Sequence, residues 1–167
     1  RDTQRGIALA HAAGAVMADE LCACGVETSF APVLDVSLVE SPVVGERSYG
    51  SEPEQVERVA AAVVGGMAHG GMLGVGKHFP GHGGVAADSH NELPHDARAY
   101  EDVAAADMHP YRALLDVLGG VMSAHVVFDE IDGEASTFSP YWLAEVLRKR
   151  LGFRGVVFSD DLSMNAA

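Results

Sequence analysis

Residues 77–90 read KHFPGHGGVAADSH and bring three histidines, a lysine and an aspartate into one glycine-rich segment. Asp88 and His90 flank a single serine, so in an extended loop their side chains project to the same side and can hydrogen-bond through the imidazole Nδ1. Such a pair fixes the tautomer, raises the basicity of the imidazole and leaves Nε2 free to carry a proton. On spacing alone, we favour an aspartate that caps a turn beside a solvated histidine.

The same segment places Lys77 and His78 at the end of the apolar run GMLGVG. A lysine with three donors and a histidine that donates or accepts are suited to holding substrate hydroxyls. The alternative is a surface lysine beside a core histidine, and the residues alone do not separate the two. We interpret His82, which lies between two glycines, as a residue that fills the loop.

Two adjacent carboxylates, Asp160 and Asp161, follow the apolar run RGVVFS. A carboxylate at the end of a strand can act as a nucleophile, a metal ligand or a charge partner. It can instead cap a following helix, and one of the two can cap while the other reacts. Arg47, in GERSYG, can clamp a substrate oxygen or pair with Glu46 or Glu52 at the surface.

The overall charge argues against two classes of partner. The chain has 11 Lys+Arg and 24 Asp+Glu, a formal net charge of −13, which repels nucleic acid and anionic membranes. No apolar run approaches the roughly 20 residues that cross a bilayer, so we expect no membrane-spanning segment.

Cys22 and Cys24 are too close for a relaxed disulfide. We interpret them as buried free thiols and expect a reducing, cytoplasmic location.

Several side chains are of types that bind zinc or another divalent ion. They are His78, His82, Asp88, His90, His125 and Asp160. No HExxH or His-x-His pattern occurs, and the histidines are irregularly spread. We therefore expect neither a metal nor a cofactor.

Four apolar segments predict the strands that position these residues: TSFAPVLDV, GMLGVGKHF, GGVMSAHVVF and RGVVFSDD. Helical patterns precede and separate them. The first has small residues at helical spacing and ends at Gly25, one breaks near Pro110, and the last begins at Ser139. Alternating helices and apolar strands are typical of a parallel sheet covered by helices, so the predicted fold class is α/β.

Each predicted strand has its polar residues at its carboxyl end, where the catalytic loops of a TIM (β/α)₈ barrel lie. A doubly wound sheet also binds there, but no GxGxxG follows the first strand. A full barrel takes about 250 residues, so we predict that residues 1–167 are a partial barrel domain of about the middle four strands. An open half-barrel leaves two edge strands unpaired, and we expect the complete protein to be longer at both ends.

Several motifs, taken together and in order, resemble the glycoside hydrolase family 3 β-N-acetylglucosaminidases of bacterial peptidoglycan recycling. They are FAPVLDV, GERSYG, GVGKHFPGHG, ADSH, MSAHVVF, TFSP and LRKRLGFRGVVFSDDLSM. The resemblance covers essentially the whole chain and implies a (β/α)₈ barrel, in agreement with the strand pattern. It also implies a retaining hydrolase that releases terminal non-reducing N-acetyl-β-D-glucosamine from peptidoglycan-derived muropeptides.

The resemblance implies that Asp160 is the catalytic nucleophile, His90 the general acid/base and Asp88 its partner. In a retaining hydrolase the carboxylate attacks the anomeric carbon, and water later releases the sugar with general-base help. An imidazole, with an unperturbed pKa of about 6.5, is suited to both proton transfers. Three glycines, at positions 81, 83 and 84, precede the pair, and we expect them to make its loop mobile.

The resemblance further implies that Arg47, Lys77 and His78 bind the N-acetylglucosamine ring. His125 and Asp161 lie in the same motifs, and we assign them supporting roles. Two alternatives stay open at this point. One is a β-N-acetylglucosaminide phosphorylase of the same fold, because an imidazole does not repel an incoming phosphate as a carboxylate does. The other is a barrel that binds the sugar without cleaving it.

Overall fold

Helices and strands alternate along residues 3–167, which the computed structural model describes. In chain order the elements are α1 (Thr3–Ala23), β1 (Thr28–Ser29), α2 (Pro53–His69), β2 (Leu73–Phe79), β3 (His95–Asp96), α3 (Tyr100–Ala105), α4 (His109–Leu114), β4 (Gly120–Ser123), β5 (Val127–Phe128), β6 (Asp132–Ala135), the π-type helix α5 (Tyr141–Arg150) and β7 (Val156–Ser159). A short 3₁₀ turn, Gly45–Arg47, lies in the long segment between β1 and α2.

Helices α1 and α2 pack side by side through glycines. A Cβ added to Gly14 would lie 2.2 Å from the carbonyl oxygen of Val63, and one added to Gly66 would lie 2.0 Å from that of His11. Any side chain at either glycine would push the two backbones apart. The small-residue face predicted for α1 is therefore the face that meets α2, and Gly25 follows the helix with φ at 81°, as predicted.

By length and composition, α1 is able to cross a membrane, so the expectation of no such segment is wrong on that criterion. Met17 and Leu21 pack with Met67 of α2 in a small apolar cluster. Leu9 and Val16 are exposed. Packing on α2 accounts for the small apolar residues of α1 without a bilayer, and a single helix of this kind is weak support for a membrane span.

The cysteine prediction is partly wrong. Cys22 is half-buried beside the α1–α2 cluster, whereas Cys24 is exposed. Cys24 follows the last residue of α1 and enters the turn that Gly25 completes, so its side chain leaves the buried face of the helix. Both thiols are free.

Strands β1, β2, β4 and β7 form one parallel sheet in that spatial order. The α/β class and the four predicted strands are confirmed. Strand β1 is shorter than predicted, and the chain beyond it stays beside β2 through a bridge from Val33 to Lys77. Pro32 has no N–H to donate, but its carbonyl oxygen accepts the backbone N–H of Lys77 at 3.2 Å.

The third predicted strand, GGVMSAHVVF, is divided between two sheets. Its first part is β4, and its last two residues are β5, which pairs with β3 and β6 in a small second sheet. The carbonyl oxygens of Val126 and Ala124 accept the backbone N–H groups of Ser136 and Thr137, at 2.9 and 3.1 Å, and the hydroxyl of Ser136 lies 3.0 Å from both oxygens and can donate to either. These bonds satisfy the backbone where it leaves the main ladder, so His125 lies in the bend and not within a strand.

An aromatic core lies under the carboxyl end of β2. Phe79 is fully buried, and its ring meets Tyr111 and Trp142 edge-on, with centroids 5.2 and 6.3 Å away. The helical segment breaks between α3 and α4, just before Pro110, as predicted. Ser139 precedes α5, and its hydroxyl accepts the backbone N–H of Trp142 at 3.0 Å. The core therefore fixes the strand end at which the polar residues of the site begin.

Replacing Gly14 with alanine should destabilise the protein, because the new Cβ has no room against α2. We expect Gly14→Ala to lower the free energy of unfolding by about 1–3 kcal/mol, the usual effect of overpacking. Gly6→Ala is the matched control on the same helix, where a Cβ would meet nothing within 4 Å, and it should raise stability by about 0.5–1 kcal/mol. Urea denaturation measures both, and equal effects of the two substitutions would contradict this packing.

Candidate active site

Asp160 follows directly after β7, at the carboxyl edge of the parallel sheet. Its Oδ1 accepts the backbone N–H of Asp161 at 2.8 Å, and its Oδ2 lies 3.8 Å from Nε2 of His78. The side chain is 22% exposed. The carboxylate is thus fixed by its neighbours, faces the end of β2, and can still be reached from solvent.

A buried carboxylate, Asp35, holds His78 in place. Oδ2 of Asp35 accepts the Nδ1–H of His78 at 2.7 Å, and Oδ1 accepts the backbone N–H groups of His78 and His82 at 3.2 and 2.8 Å. Burial acts to raise the pKa of Asp35, but the charges and hydrogen bonds of the two histidines outweigh it, and the pKa lies below its ordinary value. Asp35 is therefore ionised and accepts a hydrogen bond from Nδ1 of His78, and Nε2 of that ring faces Asp160.

Sequence reasoning did not identify Asp35 as a site residue. Its position at the end of FAPVLDV, the same place that Asp160 has after β7, is the signal that could have found it.

Lys77 and Arg47 bring positive charge to the same place. Lys77 is half-buried, and burial together with the charge of Arg47 lowers its pKa, while Asp160 and Asp35 act in the opposite direction. Arg47 is exposed, and its Nε and Nη2 donate to the carbonyl oxygen of Val43 at 2.9 and 2.6 Å. The structure thus brings the predicted residues at 47, 77, 78 and 160 into one group of interacting charges.

The hydrogen bond predicted between Asp88 and His90 is present. Oδ1 of Asp88 accepts both the Nδ1–H and the backbone N–H of His90, at 2.7 and 2.9 Å. These two bonds lower the pKa of Asp88. The imidazole of His90 is 62% exposed, so its Nε2 is free to meet a substrate at the rim of the site.

The loop that carries this pair reaches the segment after β7. The backbone N–H of Asn165 donates to the carbonyl oxygen of His90 at 3.4 Å, and its side-chain amide donates to that of Asn91 at 3.4 Å. Within residues 3–167, no hydrogen bond or ion pair joins His90 to Asp160. The pair therefore stands beside the carboxyl end of β7 without touching the carboxylate there.

The three glycines of this loop serve close packing. None has a positive φ. A Cβ would strike the carboxylate of Asp107 from position 81, the carbonyl of Val36 from position 83 and the guanidinium of Arg98 from position 84, at 2.3, 1.8 and 2.1 Å. Their expected role as a source of backbone freedom is therefore wrong, and mobility stays a prediction for the residues that follow them.

Arg98 and two aspartates form the support beneath that glycine segment. The guanidinium of Arg98 donates to both carboxylate oxygens of Asp96 and to Oδ2 of Asp107, with the shortest contacts at 2.6 and 2.7 Å. Asp107 is fully buried, and among the described residues its Oδ1 has no hydrogen-bond partner. Burial raises the pKa of Asp107 to about 6 in spite of Arg98.

The supporting roles predicted for His125 and Asp161 have a structural counterpart. His125 is buried, and its Nε2–H donates to the carbonyl oxygen of Asp161 at 3.1 Å. The carboxylate of Asp161 accepts the backbone N–H of Ser163 at 2.8 Å. Asp161 therefore caps a turn, and the residues that follow it form turns and not a helix.

The sequence of the chain decides the family. Residues 2–167 match the model of the glycosyl hydrolase family 3 N-terminal domain. The chain belongs to glycosyl hydrolase family 3. It is 54% identical to a β-hexosaminidase of Alkalilimnicola ehrlichii over 168 residues, which covers 100% of this chain and 48% of that protein. The family 3 chain thus spans about half the length of the curated relatives it matches.

Solved structures of family 3 proteins have the same fold. Two crystal structures of NagZ from Neisseria gonorrhoeae, one with zinc ion and one with N-trifluoroacetyl-D-glucosamine, superpose with TM-scores of 0.91 and 0.89. They are 44% and 47% identical to this chain. The matches cover 97% and 93% of this chain, and 47% and 46% of the NagZ chains.

The raised pKa of Asp107 predicts a pH dependence of stability. With a folded pKa of about 6 and an ordinary one near 4, the folded state binds more protons between these values, so the free energy of unfolding falls as pH rises through that window. In Asp107→Asn, the decrease in the free energy of unfolding over this pH window should be smaller by up to about 3 kcal/mol. Denaturation at pH 4, 5, 6 and 7 measures it, and parallel curves for wild type and variant would show that Asp107 does not titrate there.

Proposed function

We propose that the protein is a retaining glycoside hydrolase that releases terminal non-reducing N-acetyl-β-D-glucosamine from peptidoglycan-derived muropeptides. The observation that carries the proposal is the group at the carboxyl edge of the sheet: the Asp160 carboxylate, 3.8 Å from an oriented His78, with the exposed Asp88–His90 pair on the adjoining loop. The names of its relatives support the substrate class, since they are β-hexosaminidases and a NagZ that binds N-trifluoroacetyl-D-glucosamine.

In this proposal the four parallel strands belong to a (β/α)₈ barrel. All four run in one direction, and each pair is joined through helical segments, as in the βαβ units of such a barrel. The polar residues follow the strand ends, which is where barrel enzymes have their catalytic loops. Cytoplasmic location also remains a proposal, supported by the two free thiols.

The proposed reaction has two displacements at the anomeric carbon. In the first, the Asp160 carboxylate attacks this carbon while the imidazolium of His90 gives its Nε2 proton to the departing alcohol oxygen. In the second, Nε2 of His90 takes a proton from water, whose oxygen attacks the same carbon and releases the sugar from Asp160. Asp88 accepts the Nδ1–H of His90 throughout, which keeps Nε2 directed at the substrate.

The groups beside Asp160 are suited to hold the sugar. Lys77 and Arg47 provide donors for ring hydroxyls and the acetamido oxygen, and both are charged groups that can bind without blocking the carboxylate. The Nε2 of His78 faces the same space because Asp35 fixes its tautomer. Binding of the ring between these groups would bring its anomeric carbon toward Asp160.

The complete protein should hydrolyse a fluorogenic N-acetyl-β-glucosaminide. Asp160→Asn should lower turnover about a thousandfold or more, because the nucleophile is lost. Asp161→Asn is the matched control, since asparagine also caps turns, and it should keep most of the activity. Phosphate added to the assay distinguishes hydrolysis from phosphorolysis: a sugar phosphate product would indicate the phosphorylase, and binding of N-acetylglucosamine without turnover would indicate a sugar-binding barrel.

Direct labelling tests the assignment of Asp160. Incubation with an activated 2-deoxy-2-fluoro glycoside should leave a glycosyl group on the peptide that contains FSDD, because fluorine slows the second displacement more than the activated first one. Peptide mapping by mass spectrometry locates the adduct. A label on Asp161 or on any other carboxylate would assign the nucleophile elsewhere.

A further inference from the structure

His82 is buried in the base of the loop, although the sequence suggested only a residue that fills space. Its side chain is 2% exposed, and its Nε2 is hydrogen-bonded to the hydroxyl of Ser89 at 3.1 Å. Ser89 lies between Asp88 and His90 and is itself 2% exposed. Residues 89–91 form a turn in which the carbonyl oxygen of Asp88 accepts the backbone N–H of Asn91 at 2.9 Å. In this turn the side chain of Ser89 is buried, whereas the imidazole of His90 is exposed.

Within residues 3–167, the imidazole of His82 makes no other side-chain hydrogen bond. Among the described residues, Nδ1 of His82 is buried and has no partner. Burial lowers the pKa of His82 more than the charge of Asp35 raises it. An apolar side chain of similar size would fill the same space without desolvating two nitrogens. The polar function of His82 is therefore directed at Ser89.

The backbone of His82 connects this hydrogen bond with Ser89 to the group around Asp160. Its N–H donates to Oδ1 of Asp35, the carboxylate that also binds His78 beside the nucleophile. A continuous set of contacts thus runs from Asp160 through His78, Asp35 and His82 to Ser89. These contacts fix the position of the segment that carries Asp88 and His90 relative to the group that contains Asp160.

We propose that His82 is a positioning residue for the reaction, which holds the Asp88–His90 pair at its working position through the Ser89 hydroxyl. The inference rests on the proposed function, because it assigns the His82–Ser89 hydrogen bond a role in the proton transfer by His90. If His82 acts by positioning this pair, its substitution should lower the rate only of steps in which a proton is transferred. Sugar binding and attack by Asp160 do not require the link.

Two substrates with the same sugar separate these contributions in the complete protein. One is an N-acetyl-β-glucosaminide with a 2,4-dinitrophenyl leaving group, which departs without a proton, and the other is a disaccharide with an alkyl alcohol leaving group, which needs one. Ser89→Ala should lower kcat/KM for the disaccharide about 10–100-fold, part of the 10²–10⁴ that proton transfer contributes. It should change kcat/KM for the activated substrate less than about threefold, because the first displacement there needs no acid.

Two further variants test whether the hydrogen bond itself matters. His82→Leu should reproduce the selective loss of Ser89→Ala, whereas His82→Gln, whose amide can reach the position of Nε2, should restore much of it. Ser139→Ala removes a buried serine hydroxyl that caps α5, so it lowers stability but should leave the ratio of the two kcat/KM values unchanged.

The remaining outcomes overturn the inference. Equal losses on both substrates would show a general scaffold role, and no loss on either would show that the link is dispensable. Failure of His82→Gln to improve on His82→Leu would rule out the hydrogen bond as the cause. If the wild-type protein cleaves neither substrate, the proposed function itself is wrong, which distinguishes that failure from one confined to His82.

Discussion

Asp35 is an ionised carboxylate with no exposure to solvent, and transfer of such a group from water is costly unless it is paired and hydrogen-bonded. Here the imidazole of His78 and two backbone N–H groups meet that requirement. The same three bonds fix the backbone at both ends of the sequence HFPGH and set the tautomer of His78. The geometry of the site therefore follows from the need to satisfy one buried charge.

This arrangement also explains why small residues recur where the site is built. The segment after β2 must pass within van der Waals contact of Val36, Asp107 and Arg98 for its backbone to reach Asp35, and only glycine permits that approach. Below it, Phe79 is held by the rings of Tyr111 and Trp142. The strand end is thus fixed from the core side by aromatic packing and from the site side by Asp35.

The regular part of the fold could be predicted from local patterns. Four apolar segments, the helix pattern ending at Gly25 and the break near Pro110 all correspond to elements of the structure, because hydrophobic period and backbone restriction act within a few residues. The hydrogen bond between Asp88 and His90 could be predicted for the same reason. The bend that divides β4 from β5 could not, since its carbonyl oxygens are bound by the backbone N–H groups of Ser136 and Thr137 and by the Ser136 hydroxyl, all from a different segment.

Asp35 and His82 were missed because their roles depend on partners far along the chain or across a turn. Asp35 meets His78 across 43 positions of sequence, and no spacing pattern records that contact. The glycines at 81, 83 and 84 were misinterpreted for a related reason, because glycine gives freedom in an open loop and close approach in a packed one. Which applies is decided by neighbours that only the fold brings together.

In the proposed function, the site divides its two chemical tasks between elements of different exposure. Asp160 directly follows β7, the last strand in the order of the sheet, is 22% exposed, accepts the backbone N–H of Asp161 at 2.8 Å and lies 3.8 Å from Nε2 of His78. His90 is mostly exposed on a loop, and its position depends on Asp88, on a weak contact from Asn165 and on the hydroxyl of Ser89. A nucleophile must be held in line with one carbon in both displacements, whereas a proton carrier must meet first a leaving alcohol and then a water. If the proposed function holds, the rigid strand end and the tethered loop provide these two requirements separately.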